Sequence, residues 1–169
     1  GMPNRILIVD DDPVNLKLVT VVLKQAGYET FTATTGPDAL SHVDEIRPDL
    51  IIADVEMPGM NGYELTRQLR QKPNTAQLPI MILTSHDTVQ EKIKGFEAGA
   101  DEYMIKPFEP SELQARVRVL LRRVATLPTE TQKIKGKTIA VFSLRGGVGV
   151  STLAVNLATG LAQLWGCRT

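Results

Sequence analysis

The sequence predicts an α/β fold: a doubly wound, five-stranded parallel sheet, followed by a truncated βα unit of a second α/β domain. Three observations carry this reading. Short apolar runs alternate with amphipathic stretches up to about residue 124. Such runs read as strands buried on both faces of a parallel sheet, with helices packed over them. Two runs end in aspartate: Ile6-Leu7-Ile8-Val9 leads into Asp10-Asp11-Asp12, and Leu50-Ile51-Ile52-Ala53 leads into Asp54 and a Pro/Gly-rich turn. The carboxyl ends of strands are where open α/β sheets build their sites. After residue 136 a strand pattern and a Gly-rich turn restart the alternation.

Strands are expected over 5–9, 28–33, 49–54, 79–84 and 102–105, and helices over 13–26, 37–47, 62–71, 88–98 and 110–124. Asp12 before Pro13 reads as an N-cap followed by a proline at the first helical position. Gly27 stands where the first helix should stop. Asn61 with Glu64, and Asp87 with Gln90, have the spacing of helix starts. Gly99 marks the end of the fourth helix. In the fifth, Leu113, Val117, Leu120, Leu121 and Val124 recur at helical spacing and read as a core face. Five βα units joined by short connections imply helices on both faces of the sheet.

The domain organisation follows: residues 4–124 form the first domain, 125–136 a polar, Pro-marked linker, and 137–169 the start of a second domain. The chain has 169 residues and is 43% hydrophobic, enough for one full core and something more. No apolar run is long enough to span a membrane, and no secretory leader is visible. Gly1 before Met2 reads as a cleavage scar. The single cysteine, Cys167, excludes an internal disulfide and fits a cytoplasmic protein. Net charge is zero but uneven: residues 1–112 hold 18 Asp/Glu and 10 Lys/Arg, and residues 113–169 hold 1 and 9. The basic half reads as a solvated helix and linker, or as a contact surface for an acidic partner or phosphate.

Asp10, Asp11 and Asp54 should meet at one rim of the sheet. Like charges so gathered repel, and a hard divalent cation is the simplest compensation. Metal hydrolases also cluster carboxylates, so the other strand ends decide. The fourth ends in Thr84-Ser85, which offers hydroxyls, and the fifth in Lys106-Pro107, which offers a cation. Carboxylates, a metal, a hydroxyl and a lysine suit a phosphoryl group. An aspartate nucleophile can carry it as an acyl phosphate.

At these residues the sequence resembles the CheY-like receiver domain of two-component response regulators. The matching stretches are Ile8 to Asp12, Asp54-Val-Glu-Met-Pro-Gly-Met-Asn-Gly62, Leu83-Thr84-Ser85, and Tyr103-Met-Ile-Lys106-Pro107-Phe108, in order at the strand ends. The resemblance implies a flavodoxin-like fold and Asp54 as phosphoacceptor. It implies Mg²⁺ held by Asp10, Asp11, Asp54 and the backbone carbonyl of Glu56. Lys106 would pair with phosphoryl oxygens, with the Lys106–Pro107 peptide cis. Thr84 and Tyr103 would form the switch: Thr84 turns toward the phosphoryl group and Tyr103 swings inward. His86 and Glu56 stand where the family tunes the lifetime of that group. His86 is not expected to ligate metal, since no second His or Cys accompanies it. His42 reads as a solvated side chain, and Asp12 as a cap only.

The second motif is Arg145-Gly146-Gly147-Val148-Gly149-Val150-Ser151-Thr152, after a strand and before a helix. Its backbone N–H groups could cradle phosphate. It resembles the deviant P-loop of ParA/MinD-like ATPases, with Gly146, Gly147, Gly149, Ser151 and Thr152 in the nucleotide-binding positions. Val150 stands where a lysine should reach the terminal phosphates, which argues against ATP hydrolysis. A receiver joined to such a domain resembles the TadZ/CpaE-type localisation proteins of pilus assembly. The implied partners are a histidine kinase or phosphotransfer protein, pilus or secretion machinery, and a second copy of the chain. Direct nucleic-acid binding is not expected, because residues 125–169 show no helix-turn-helix pattern. The competing readings are a ParA/MinD-like ATPase and a receiver-like scaffold that is never phosphorylated.

Overall fold

The computed structural model describes residues 1–126. They form strands β1 (Arg5–Val9), β2 (Glu29–Ala33), β3 (Leu50–Ala53), β4 (Ile80–Thr84) and β5 (Glu102–Ile105). Between and after them lie helices α1 (Pro13–Gln25), α2 (Gly36–Ile46), α3 (Gly62–Gln71), α4 (Val89–Ala98) and α5 (Pro110–Ala125). All neighbouring strands are parallel, in the order β2-β1-β3-β4-β5. This is the doubly wound parallel sheet expected from the alternation, with the flavodoxin-like strand order that the resemblance implied. Helix α5 runs one residue past its expected end, so Ala125 and Thr126 of the expected linker close that helix; the rest of the linker and the second motif lie outside the described residues, as does Cys167.

The register explains the double winding. Ile6 and Ile8, Leu50 and Ile52, Met81 and Leu83, and Met104 face one side, where Val19, Val22 and Leu23 of α1 and Leu113, Val117 and Leu120 of α5 cover them. Leu7 and Val9, Ile51 and Ala53, and Ile80 face the other, under Ala39 and Val43 of α2 and Leu65 and Leu69 of α3. Successive strand residues thus enter opposite cores, so central strands are apolar throughout. The α5 stripe is a core face through Leu120. Val124, one turn beyond, is exposed.

Local chemistry sets the helix ends. Asp12 Oδ1 accepts from the Val14 N–H at 2.9 Å, and Asn61 Oδ1 accepts from the Glu64 N–H at 2.9 Å, as their positions predict. The fourth helix corrects its expectation. Thr88, not Asp87, is the cap, its Oγ1 accepting from the Glu91 N–H at 3.1 Å. Helix α2 starts one residue before its expected start, at Gly36 with Thr35 as its cap, and Arg47 ends it in a left-handed conformation with φ 49°. Gly99 ends α4 with φ 108°, where a glycine was expected for that reason.

At the amino end of the sheet Arg70 of α3 ties three segments together. It donates to the carbonyls of Gly99 at 2.9 Å and Leu78 at 2.6 Å, and pairs with Asp101 at 2.8 Å. Asp101 in turn accepts from the Ile80 N–H at 2.9 Å. At the carboxyl end the turn after β3 folds back so that the Gly62 N–H donates to the Val55 carbonyl at 3.0 Å. A Cβ on Gly62 would overlap the Asp54 carbonyl oxygen and come within 2.9 Å of its carbon. Backbone cannot yield as a flexible side chain can, so Gly62→Ala should lose about 3 kcal/mol of stability by urea unfolding. A loss under about 0.5 kcal/mol, as at an unconstrained surface position, would contradict this packing.

Candidate functional site

Three backbone hydrogen bonds carry the sheet past the ends of its strands. The Asp10 N–H donates to the Ala33 carbonyl at 3.1 Å, the Asp54 N–H to the Val9 carbonyl at 2.9 Å, and the Lys106 N–H to the Thr84 carbonyl at 2.8 Å. The functional side chains therefore leave a rigid rim. Lys106–Pro107 is cis, as the resemblance implied.

Asp10 and Asp54 are buried and Asp11 is exposed, and each offers an oxygen within 4.8 Å of the others. Among the described residues this is the group able to hold a metal ion. Asp10 uses both oxygens: Oδ1 accepts from the Asp12 N–H at 2.9 Å, and Oδ2 accepts from Lys106 Nζ at 3.0 Å. Asp54 Oδ1 accepts from the Val55 N–H at 2.7 Å, and Oδ2 accepts from Lys106 Nζ at 3.2 Å. Burial pushes the Asp10 carboxyl above the usual carboxylate range, against the opposing pull of the Asp12 N–H and Lys106. Three carboxylates face one ammonium, which leaves a formal charge of about −2 if all are ionised. An all-oxygen set with that residual charge fits a hard divalent cation.

The other predicted residues are accounted for as follows. Thr84 is fully buried at the end of β4, and its hydroxyl accepts from the His86 N–H at 3.4 Å instead of meeting Asp54. Tyr103 is buried, with its ring turned inward and its hydroxyl donating to the His86 carbonyl at 2.9 Å. The Glu56 carboxylate stays outside the aspartate group and pairs with His86 Nε2 at 2.7 Å. His86 Nδ1 lies 3.2 Å from Glu91 Oε2. His42 is exposed beside Asp38, as expected. Gly146, Gly147, Gly149, Ser151 and Thr152 lie outside the described residues.

Sequence reasoning missed Tyr63 and Glu91. Tyr63, at the start of α3, donates to Glu91 Oε2 at 2.8 Å and lies 3.2 Å from the Tyr103 hydroxyl. Glu91 also accepts from Lys94 at 3.0 Å. Lys94, Tyr63 and His86 together hold its carboxyl down to about 2. The signal available was weak: an aromatic in one helix's first turn and an acid in the first turn of the next.

The chain matches the response regulator receiver domain family over residues 6–118. It is 44% identical over 133 residues to the DNA-binding response regulator MtrA of Mycolicibacterium smegmatis, covering 79% of this chain and 57% of that protein. It is 42% identical over 124 residues to the DNA-binding dual master transcriptional regulator RpaA of a Synechocystis strain, covering 73% of this chain and 52% of that protein. The crystal structure of a response regulator from Chloroflexus aurantiacus superposes with a TM-score of 0.70 at 46% identity, covering 72% of this chain and all of that one. The chain thus spans a little over half the length of these two regulators. Their DNA-binding names run against the expectation of no direct nucleic-acid binding, which rested on the pattern of residues 125–169. No helix among the described residues is long and apolar enough to cross a membrane.

Two outcomes are expected of this charge arrangement in magnesium-free buffer. Hydrogen bonds donated to the Glu56 and Glu91 carboxylates raise the His86 imidazole above its ordinary 6.5. Its stabilisation is then complete below about 6.5 and lost as pH rises through the higher folded-state value. An NMR titration should place His86 above 6.5, with Glu91→Gln lowering the midpoint; an ordinary midpoint in both proteins contradicts the paired geometry. Because folding raises the Asp10 value, its ionised form weighs against the fold at neutral pH. Asp10→Asn should therefore shift the urea midpoint upward, and a downward shift would contradict this sign.

Proposed function

The chain belongs to the response regulator receiver family, and from that premise we propose that Asp54 accepts a phosphoryl group from a histidine kinase or phosphotransfer protein. The observation that carries this is the buried Asp54 carboxylate at the sheet rim, with Lys106 Nζ at 3.2 Å and Asp10 and Asp11 beside it. An Asp54 oxygen forms the new O–P bond as the N–P bond of a phosphohistidine breaks, and the imidazole nitrogen keeps the bonding pair. Lys106 is placed to neutralise oxygens of the transferred group. Asp10, Asp11 and Asp54, with the backbone carbonyl of Glu56, would hold Mg²⁺. That ion would offset negative charge on both the carboxylates and the incoming phosphoryl group. The receiver's own residues thus promote phosphotransfer to the chain itself, and no further enzymatic activity is assigned to residues 1–126.

Transfer adds roughly −1.5 to −2 charge and three acceptor oxygens at Asp54. The Thr84 hydroxyl has a weak partner at 3.4 Å and gains a stronger one if it turns to the phosphoryl group. That differential contact, with Tyr103, biases a two-state surface on α4, β5 and α5. The output is read from sequence alone. The Gly-rich turn at Arg145 to Thr152 supports an ATPase-like output of the pilus-localisation type, with Val150 arguing against hydrolysis. The DNA-binding names of MtrA and RpaA favour a second reading, a receiver governing DNA binding.

The test uses beryllofluoride or acetyl phosphate with Mg²⁺. Wild type should be modified, observed by mass or by ¹⁹F NMR, and Asp54→Asn should not. Equal modification of both proteins removes Asp54 as acceptor. For the output, labelled ATP should bind the full chain weakly, and micromolar affinity would contradict the reading of Val150.

A further inference from the structure

The inward ring of Tyr103 sits in a pocket that the rest of the chain has shaped for it. A Cβ on Gly95 of α4 would come within 2.7 Å of Tyr103 Cδ2 and 3.5 Å of Tyr63 Cε1. Position 95 therefore admits this ring only because it carries no side chain. Phe96 packs against the ring, with centroids 6.4 Å apart. The pocket's polar end holds two phenols: Tyr103 donates to the His86 carbonyl at 2.9 Å, and Tyr63 donates to Glu91 Oε2 at 2.8 Å. The two hydroxyls lie 3.2 Å apart, so with the Tyr63 proton on Glu91 the one Tyr103 proton is shared between the His86 carbonyl and the Tyr63 oxygen. Tyr63 and Tyr103 are both almost fully buried. Burial pushes the Tyr63 phenol well above its ordinary value, so it remains a donor at any physiological pH.

Glu91 makes this more than a pair of buried phenols. It lies on α4, while Tyr63 is on α3 and Tyr103 on β5. Through His86, Glu91 also connects to Glu56, two residues past Asp54. One carboxylate thus joins the loop after Asp54, the start of α3 and the first turn of α4.

We propose that Tyr63 and Glu91 form a latch that holds Tyr103 inward and fixes its ring to helix α4. Tyr63 is a positioning residue: it acts on Tyr103, and touches neither the aspartates nor the transferred group. The proposal rests on the reading of Tyr103 as the switch. Because the latch binds the inward ring and not an outward one, it sets the balance between the two positions. By linkage it also sets how readily the site accepts a ligand that favours the inward state.

The experiment labels the full chain with 3-fluorotyrosine and follows Tyr28, Tyr63 and Tyr103 by ¹⁹F NMR, assigned by single Tyr→Phe variants. In free wild type, Tyr103 should give a solvent-shielded resonance. Tyr63→Phe keeps the ring and removes the hydroxyl, and should lower the inward population about fivefold, the size expected for one hydrogen bond. Glu91→Ala should do the same, and Glu91→Gln, which keeps an acceptor, should restore it. With Mg²⁺ present, Tyr63→Phe should weaken beryllofluoride binding by a similar factor without a matching loss of thermal stability. A Tyr103 resonance unmoved by both Tyr63→Phe and Glu91→Ala overturns the latch. So does an equal effect of Glu91→Gln and Glu91→Ala. Failure of wild type to bind beryllofluoride refutes the phosphoacceptor reading instead, while the metal-free resonances still decide the latch.

Discussion

Everything at the functional rim depends on one electrostatic constraint: buried carboxylates brought together with too few cations among them. Asp10 and Asp54 share the single ammonium of Lys106, and Asp11 stands beside them exposed. A buried carboxylate is tolerated when hydrogen bonds meet its oxygens, and each oxygen of Asp10 and Asp54 has one. The local charge still does not cancel. An arrangement satisfied in hydrogen bonds but unbalanced in charge is suited to admitting a cation without rebuilding. The folded chain bears this imbalance at the rim while its two apolar cores supply the stability that permits it.

The rim is accurate because backbone, not side-chain packing, places it. Asp10, Asp54 and Lys106 each donate a main-chain hydrogen bond to the neighbouring strand just where regular pairing ends. Strand order does the rest. β1 and β3 are adjacent, so two aspartate-bearing ends meet directly, while β5 lies beyond β4. Lys106 must therefore cross the end of β4, where Thr84 sits, to reach Asp54. A long, flexible ammonium can make that reach, and a short cation could not.

Much of this was legible in the sequence because it is written in local patterns. The strands announce themselves as apolar runs, and α3 and β5 fall where they were expected, over 62–71 and 102–105. Asn61 and Asp12 cap as their spacing says. Asp87 misled, because a threonine with a glutamate three residues on stood directly after it, and only the entry angle of the chain decides between the two. Arg47 gave no sign, since a left-handed arginine has no residue signature comparable to glycine's. The site residues at the strand ends were legible because topology alone gathers them. The Tyr63–Glu91–His86 cluster was not: Tyr63 is 28 residues from Glu91 and meets it only through the packing of α3 against α4.

That packing also leaves α4 lightly anchored. Among its residues only Gly95 and Ala98 are buried, and Val89, Ile93 and Phe96 stand largely exposed. By contrast, α1 and α5 each anchor three large apolar side chains in the core. A helix held by so little apolar burial can shift at lower cost than its neighbours. Its position is then governed by directional contacts, here the carboxylate of Glu91 and the space left by Gly95 for the Tyr103 ring. Contacts of that kind are made or broken as units. Under the proposed phosphorylation, a charge added at Asp54 would reach α4 through contacts of this directional kind, from Glu56 to His86 to Glu91.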